Sequence, residues 1–586
     1  LTVSGYSDAA PRWAAGGGGI TYLSGKYGYR SHGSWGEQYD VLLMMLDAEK
    51  WDEFRMTEEE VALAEKDEKA EAAKESKDKK DKKGKKGKKD KEDAAKKKGI
   101  TMDLDNRLYR ISRLTPVSGF IGDYCISPKA DKLYYTMRGS DGKFDLMKTD
   151  LRKKETTRLL ADVKGGFEMD AKGENLYVIS GSGMKVITLG EGTPTVKPIE
   201  FEADYTRVPS AERAYIFDHV ISQVRDKFYD VNLHGVDWDM YGREYRKFLP
   251  YISNNRDFAL LLSELLGELN ASHTGARSFP AGATSAHVNG QLGAFFDERY
   301  DGDGLKVAEV LKRGPLATAA ANVKPGDIIT AIDGMPILKD ADYYPMLEGK
   351  TGKKTRLSVK HADGKTSEII VRPISLGVQN GLLYQRFVEH NRHVVDSISG
   401  GKVAYVHVQG MDSYSFRTVY DQLLGLQRNC EAVIVDTRYN GGGWLHNDIA
   451  ILLSGREYVR FSPRGNYIGS EPFSQWNKPS VMLVNESNYS DAHGTPYVYK
   501  TLGLGKLIGA PVPGTMTAVW WETQVDPTLM FGIPQVTSLD MNGKPLENQQ
   551  LNPDIEVYNK PLEMLEGVDT QLIEATRELL RQISAK

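Results

Sequence analysis

The chain has 586 residues, too many for one hydrophobic core, which predicts three to five domains. Hydrophobic residues make up 40% and charged residues 27%, a globular balance, and a formal net charge of −4 argues against a dedicated nucleic-acid binder. Two cysteines, Cys125 and Cys430, can build neither a disulfide framework nor a cysteine metal cluster, and no stretch approaches the roughly 18 apolar residues of a membrane helix.

The sequence opens on Leu1, inside a motif-like segment and with no signal-peptide pattern, so a fragment or processed product is expected. Residues 1–57 read as short strands between Gly/Ser/Asp turns. The same cadence returns over 99–205, where "DYCISPKADKLYYTMRGSDGKFDLMKTDL" and "GGFEMDAKGENLYVISGSGMKVITL" each give a strand, a turn, an aromatic strand and a third strand. Recurrence at roughly 40 residues is the mark of propeller blades. Two or three units are too few to close one, so the end of a longer propeller is expected, with a small β-sandwich as the alternative.

Between these segments lies a Lys-rich insert, 58–98. From Glu65 to Lys98 it holds 16 lysines against 10 acidic residues, a surplus of six positive charges that leaves the rest of the chain at −10. No aromatic residue lies between Phe54 and Tyr109. Such a composition predicts disorder, read as a solvated loop insertion in preference to a polycationic tail for an acidic partner.

Residues 206–285 turn helical. Ile216, Val220, Val224 and Phe228 recur four apart on one stripe, and "NRDFALLLSELLGELN" is a second helix ending in the small-residue turn "ASHTGARS". Residues 286–375 resemble a PDZ module, with "GQLGAFF" (Gly290 to Phe296) as the carboxylate-binding loop. From 376 to 586 the pattern is α/β: "KVAYVHV", "EAVIVDTR" and "PSVMLVN" are short apolar strands, with helical "YDQLLGLQ" and "HNDIAILLSG" between them. The fold class is thus multidomain α+β: propeller blades, a helical subdomain, a PDZ module and an α/β sheet domain. Ligands of such sheets bind beyond the carboxyl ends of the strands.

Two strand ends draw attention there. "VIVDTRYNGGGW" ends in Gly441 to Gly443, which permit positive φ and close approach of a ligand to the backbone. "VMLVNESNYSDAHG" ends in a polar turn holding Ser490 just before a predicted helix, where helix amides can stabilise an oxyanion. Alone, Ser490 reads more simply as the cap of that helix.

Asp436 to Gly443, Asn485 to Gly494, His273 after "GEL" and "LENQQLNPDIEV" together resemble the C-terminal-processing and tricorn serine peptidases. The processing branch uses a Ser–Lys dyad. The matching stretch here, "LIGAPVPGTMT" (Leu507 to Thr517), has no lysine, and Lys506 ahead of it is a poor substitute. The tricorn branch uses a Ser–His–Ser–Glu tetrad, and the resemblance implies these roles. Ser490 is the nucleophile, His273 its base, Ser272 the partner of the other imidazole nitrogen, and Glu547 the group that orients Ser272. The oxyanion hole falls to the backbone N–H groups of Asp491 and of a triplet glycine, Gly442, with its neighbours as alternatives. His493 and His446 are the rival bases. Asp436 is read as a brace for Arg438 or for the glycine turn. An acidic specificity residue is expected beyond the glycines, but "GREYVRFSPRG" is mainly basic, with Arg456, Arg460 and Arg464 against Glu457.

The resemblance further implies a serine endopeptidase acting on peptides or unfolded chains. It implies a homo-oligomer (a hexamer), a cytoplasmic location with periplasm or export as the alternative, no metal or organic cofactor, and no nucleic-acid or membrane partner. The rival reading is a non-catalytic peptide-binding scaffold with a degenerate site.

Overall fold

A computed structural model describes residues 2–33, 37–64, 66–67, 102–181, 183–190, 194–279 and 288–585. The chain divides into two compact units, Leu1–Thr206 and Arg207–Lys586.

The first unit holds two antiparallel sheets. One runs in sequence order through β1 (Asp8–Ala14), β2 (Gly19–Ser24), β3 (Asp40–Met45) and β4 (Ile111–Arg113). The other is a seven-stranded meander of β5 (Ile121–Ile126), β6 (Lys132–Arg138), β7 (Phe144–Asp150), β8 (Glu155–Met169), β9 (Asn175–Ser180), β10 (Gly183–Thr188) and β11 (Thr195–Ile199). The 15-residue β8 pairs with β7 on one side and β9 on the other, with a register shift between Val163 and Phe167 that bends it. Two four-stranded units therefore share one strand.

After β3, helix α1 (Ala48–Arg55) is followed by a helical turn over 58–64, inside the segment expected to be disordered. Its start is a capping box: Thr57 N–H donates to Glu60 Oε2 (2.8 Å) and Glu60 N–H donates to Thr57 Oγ1 (3.3 Å). Thr57 to Glu60 is a local T-x-x-E helix-start pattern at the edge of a segment whose composition predicts disorder. The remaining Lys-rich run, 68–101, lies outside the described residues.

In the second unit, α2 (Pro209–Lys227), α3 (Trp238–Arg246) and α4 (Asn255–Gly267) pack through the stripe read from sequence, Ile216, Val220, Val224 and Phe228, onto Phe258, Leu262 and Leu265. The same core takes in Leu529, Phe531 and Ile533 from far down the chain. They arrive because β12 (Gly275–Ser278), directly after the His273 turn, is the edge of a three-stranded sheet ordered β12, β26 (Leu529–Thr537) and β25 (Thr517–Thr523). The PDZ segment is built on β13 (Ala294–Phe296), β14 (Leu305–Val310), β15 (Ile328–Ile332) with the short β16 (Met335–Pro336), β17 (Thr355–Lys360) and β18 (Thr366–Val371). In its predicted carboxylate loop, Gly293 N–H donates to Gln379 Oε1 at 3.2 Å.

Helix α5 (Leu376–Ser399) leads into the α/β sheet domain. Its central sheet is parallel, β19 (Val403–His407), β20 (Ala432–Asp436), β23 (Ser480–Val484), β24 (Lys506–Gly509) and β27 (Ile555–Glu556). Alternate residues face opposite cores. Tyr405, Ile434 and Leu483 pack against α5 and α9 (Thr570–Ser584). Ala404, Val435 and Met482 pack against α6 (Ser413–Asp421), α7 (His446–Leu453) and α8 (Asp491–Thr501). Burial on both faces explains why these strands are unbroken apolar runs. A hairpin of β21 (Val459–Phe461) and β22 (Gly469–Glu471) follows α7, and β25 (Thr517–Thr523) and β26 (Leu529–Thr537) follow β24.

Candidate active site

Ser490 stands between the end of β23 and the first residue of α8, with φ 59° and ψ −125°. A non-glycine residue at positive φ is strained and persists where its surroundings fix it. Here Ser490 N–H donates to Thr515 Oγ1 (2.9 Å), and the preceding Tyr489 N–H donates to Asn440 O (3.0 Å). The Ser490 side chain makes no capping hydrogen bond to α8, so the simple cap role does not apply.

The glycine strip lies against this turn. Gly442 has φ 98°, and a Cβ placed on it would stand 2.5 Å from Ser490 Cβ and 2.8 Å from Tyr489 O. Only glycine fits. Its N–H donates to Asn440 Oδ1 at 2.8 Å. The Asp491 carboxylate ties the two turns together: Oδ2 accepts from the amides of Leu445 (2.5 Å) and His446 (3.1 Å), and Oδ1 bonds His446 Nδ1 (2.5 Å). His446 is thereby bound to a carboxylate and also meets Trp444 edge-on.

His273, at φ 62°, is held from three directions. Its N–H donates to the Tyr489 hydroxyl (2.7 Å), and the phenol and imidazole rings lie 4.8 Å apart. Its Nδ1 is 2.8 Å from Ser272 Oγ and 2.9 Å from Thr517 Oγ1. Ser272 Oγ donates in turn to Glu547 Oε2 (2.9 Å), while Ser272 N–H donates to Glu547 Oε1 (2.5 Å). Asn548, next to Glu547, donates from Nδ2 to Asn270 O (2.8 Å) and fastens the two loops together. Burial lowers the His273 pKa to about 4, so the imidazole is neutral and can accept a proton at neutral pH. Burial also raises the Glu547 pKa, opposed by the two Ser272 hydrogen bonds.

The rival histidine, His493, is fully buried on α8, and its Nδ1 accepts from Thr515 N–H at 3.2 Å. Burial holds its pKa at about 4 as well. It supports the threonine that supports Ser490. Asp436 closes β20 as expected: its carboxylate bonds Arg438 Nε and Nη2 and accepts from Tyr405 O–H, and Arg438 Nη1 continues to Asp569 and Gln571. Lys506 is paired with Glu578 (2.7 Å), and Glu457 with Arg460 (2.6 Å).

The structure thus brings Ser272, His273 and Glu547 into one hydrogen-bonded group and packs Gly442 against Ser490. It links the two halves through Tyr489. No direct hydrogen bond joins Ser490 Oγ to the imidazole, and such bonds commonly tighten only when substrate binds. Thr515 and Thr517 are the site residues that sequence reasoning missed. They lie in the very stretch searched for a lysine. Among the described residues, no group of three or more His, Cys, Asp or Glu side chains could hold a metal ion, and no helix is long and apolar enough to cross a membrane. Both cysteines are free thiols.

Three family models match the chain: Peptidase family S41 over residues 402–557, the Tricorn protease C1 domain over 209–267 and the Tricorn protease PDZ domain over 290–375. Tricorn protease homolog 1 of Streptomyces coelicolor is 29% identical over 427 residues, covering 68% of this chain and 40% of its own length. The Tricorn protease of Thermoplasma acidophilum is 23% identical over 509 residues, covering 83% of this chain and 46% of its own length. The chain therefore spans less than half of these relatives. A solved tricorn protease structure superposes with a TM-score of 0.77 at 19% identity, covering all of this chain and 55% of that one.

Proposed function

Because this chain belongs to the tricorn protease family, within peptidase family S41, we propose that it hydrolyses peptide bonds with Ser490 as nucleophile and His273 as general base. The observation that carries this reading is the closed group Ser272–His273–Glu547, drawn from positions more than 270 residues apart and set beside a strained, uncapped serine. A helix cap or a structural histidine requires none of that assembly.

Ser490 Oγ attacks the scissile carbonyl while His273 Nε2 takes its proton. The imidazolium then protonates the leaving amine, leaving an acyl-enzyme. Water attacks the ester, its proton passes to His273, and the proton returns to Ser490 as the carboxylate product leaves. Ser272 and Glu547 hold Nδ1–H and offset the imidazolium charge. The oxyanion is received by the Asp491 N–H and by the glycine strip. Gly442, the position the resemblance implies, has its amide engaged by Asn440 Oδ1, which turns the assignment toward the amides of its neighbours Gly441 and Gly443. No metal or organic cofactor is invoked.

The substrates are peptides or unfolded chains, the working form is a homo-oligomer of hexamer type, and the location is the cytoplasm. These three points are what the resemblance to the tricorn peptidases implies, with periplasm or export as the alternative location. Labelling with a fluorophosphonate probe tests the mechanism. Wild-type protein should label, and Ser490→Ala and His273→Ala should not. Folded wild-type protein that fails to label overturns the reading in favour of a peptide-binding scaffold, and a Ser490→Ala variant that still labels moves the nucleophile to another serine.

A further inference from the structure

The stretch "PGTMT" (Pro513 to Thr517) brings two hydroxyls to the active site, Thr515 from the loop before β25 and Thr517 from the first residue of that strand. Thr515 Oγ1 accepts the Ser490 amide proton at 2.9 Å, while Thr517 Oγ1 stands 2.9 Å from His273 Nδ1 and 3.1 Å from Ser272 Oγ. The intervening Met516 is buried against α8, where its sulfur and terminal methyl would block any Cβ on Gly494. Thr517 is itself only 6% exposed, so its hydroxyl has little access to water and is directed into the group around His273.

Three oxygens must be reconciled with one imidazole nitrogen. Ser272 has one hydroxyl proton, and the Glu547 carboxylate at the end of the chain is its strongest acceptor. That leaves the lone pairs of Ser272 Oγ free to accept. Nδ1–H then has two acceptors in reach, Ser272 Oγ at 2.8 Å and Thr517 Oγ1 at 2.9 Å, and Thr517 O–H can donate on to Ser272 Oγ. With the protons so arranged they run toward Glu547 and the lone pair is left on Nε2; the opposite tautomer requires Thr517 O–H to donate to Nδ1 instead. Without Thr517, the tautomer would depend on one serine whose own orientation depends on one carboxylate.

Resting on the assignment of His273 as the base, we propose that Thr517 is a positioning residue for the peptidase reaction: a second acceptor for His273 Nδ1–H that bridges to Ser272 and keeps the imidazole in the tautomer that can deprotonate Ser490. It touches neither substrate nor the reacting atoms, and it acts through His273. The titratable groups that face the imidazole are Glu547, through Ser272, and Tyr489.

The test is a double-mutant cycle on the full chain, with Ser272→Ala, Thr517→Val and the pair, read as kcat/KM on an unfolded-protein substrate and as the fluorophosphonate labelling rate. Two parallel acceptors predict that each single change costs about tenfold. The pair should cost far more than the product of the singles, on the order of the ~10⁴-fold loss seen when a catalytic histidine is left in the wrong tautomer. Thr517→Ser restores the hydroxyl and should recover most of the rate, which a purely space-filling role for the threonine would not explain. Losses that multiply, or a Thr517→Val variant as fast as wild type or faster, overturn the proposal. The tautomer is also read without turnover, from the ¹⁵N shifts of the His273 imidazole, assigned by their loss in His273→Gln. Nδ1 should stay protonated in either single variant and lose that preference in the pair. If folded wild type neither labels nor cleaves, the peptidase reading has failed, and the ¹⁵N shifts still decide whether Thr517 holds the proton.

Discussion

Ser490 hangs from the end of β23, in a parallel sheet whose two faces are both covered, whereas His273 stands in a loop before a four-residue edge strand. Backbone and packing impose the nucleophile's geometry. Its φ of 59° is enforced by the Tyr489 and Ser490 amides and by Gly442 pressed against it, over a sheet anchored beneath by the Asp436–Arg438–Asp569 network. Side-chain hydrogen bonds hold the base, and they come from Tyr489, Thr517 and Glu547 through Ser272. The two regions should therefore fail differently: loss of the buried network beneath the nucleophile costs fold, whereas a change confined to the nucleophile turn or to the contacts of the base costs rate.

The largest effect tests the sheet side. Arg438 is fully buried and satisfies two carboxylates that are themselves within the core. Arg438→Ala leaves Asp436 and Asp569 uncompensated and should cost about 3–5 kcal/mol, read as a lower midpoint for the C-terminal unit in urea unfolding. An unchanged midpoint would break the comparison at its root.

Next comes Gly442→Ala. The added methyl would sit 2.5 Å from Ser490 Cβ, so the nucleophile turn must move. Displacement of a reacting group by about 1 Å is worth about 10²-fold in rate, and kcat/KM should fall at least that far while the far-ultraviolet circular dichroism spectrum is kept.

The third effect is a pH limb. Burial depresses the His273 pKa from 6.5 to about 4, and the neutral form is the base. The kcat/KM profile should therefore rise with pH through about 4 and be level by pH 6, where an ordinary imidazole would still be climbing. The sign for stability follows from the same shift. Between pH 6.5 and 4 the unfolded chain binds protons that folded His273 and His493 refuse, so stability conferred above pH 6.5 is lost as pH falls toward 4. A limb centred near 6.5 would place His273 in solvent.

These two regions were also unequally legible from the residues alone. Strand-end signals are local, so the glycine strip, the Ser490 turn and the bracing of Arg438 by Asp436 could be read from short stretches of sequence. The base side is built from contacts across 216 to 275 residues, which no local period encodes. His273 and Glu547 are legible only through resemblance, and Thr515 and Thr517 carry no local signal, since a threonine in a loop or at a strand start is ordinary. The pairing of β12 with β26 was equally hidden: Gly275–Ser278 is too short to announce a strand, and its partner lies some 250 positions on. That pairing carries Leu529, Phe531 and Ile533 into the helical core and sets Thr517 beside the His273 turn.

The smallest effect belongs to Tyr489, the residue that touches both regions. Its amide is held by Asn440 on the sheet side, and its hydroxyl accepts from His273 N–H on the other. Tyr489→Phe keeps the ring against the imidazole and removes only that acceptor. A neutral hydrogen bond of this kind is worth about 0.5–1.5 kcal/mol, and at this partly exposed position water can take its place, so kcat/KM should fall about three- to tenfold. The unfolding midpoint should hardly move, because the nucleophile turn keeps its own backbone bonds. His273 sits at φ 62°, a conformation that costs on the order of 1–3 kcal/mol and has to be enforced by its neighbours. If the Tyr489 bond were the main enforcer, its loss would let the loop relax and the rate would collapse by 10² or more. A small loss would instead show that the Nδ1 contacts to Ser272 and Thr517 hold the imidazole by themselves, and that Tyr489 trims a position already set from the other side of the ring.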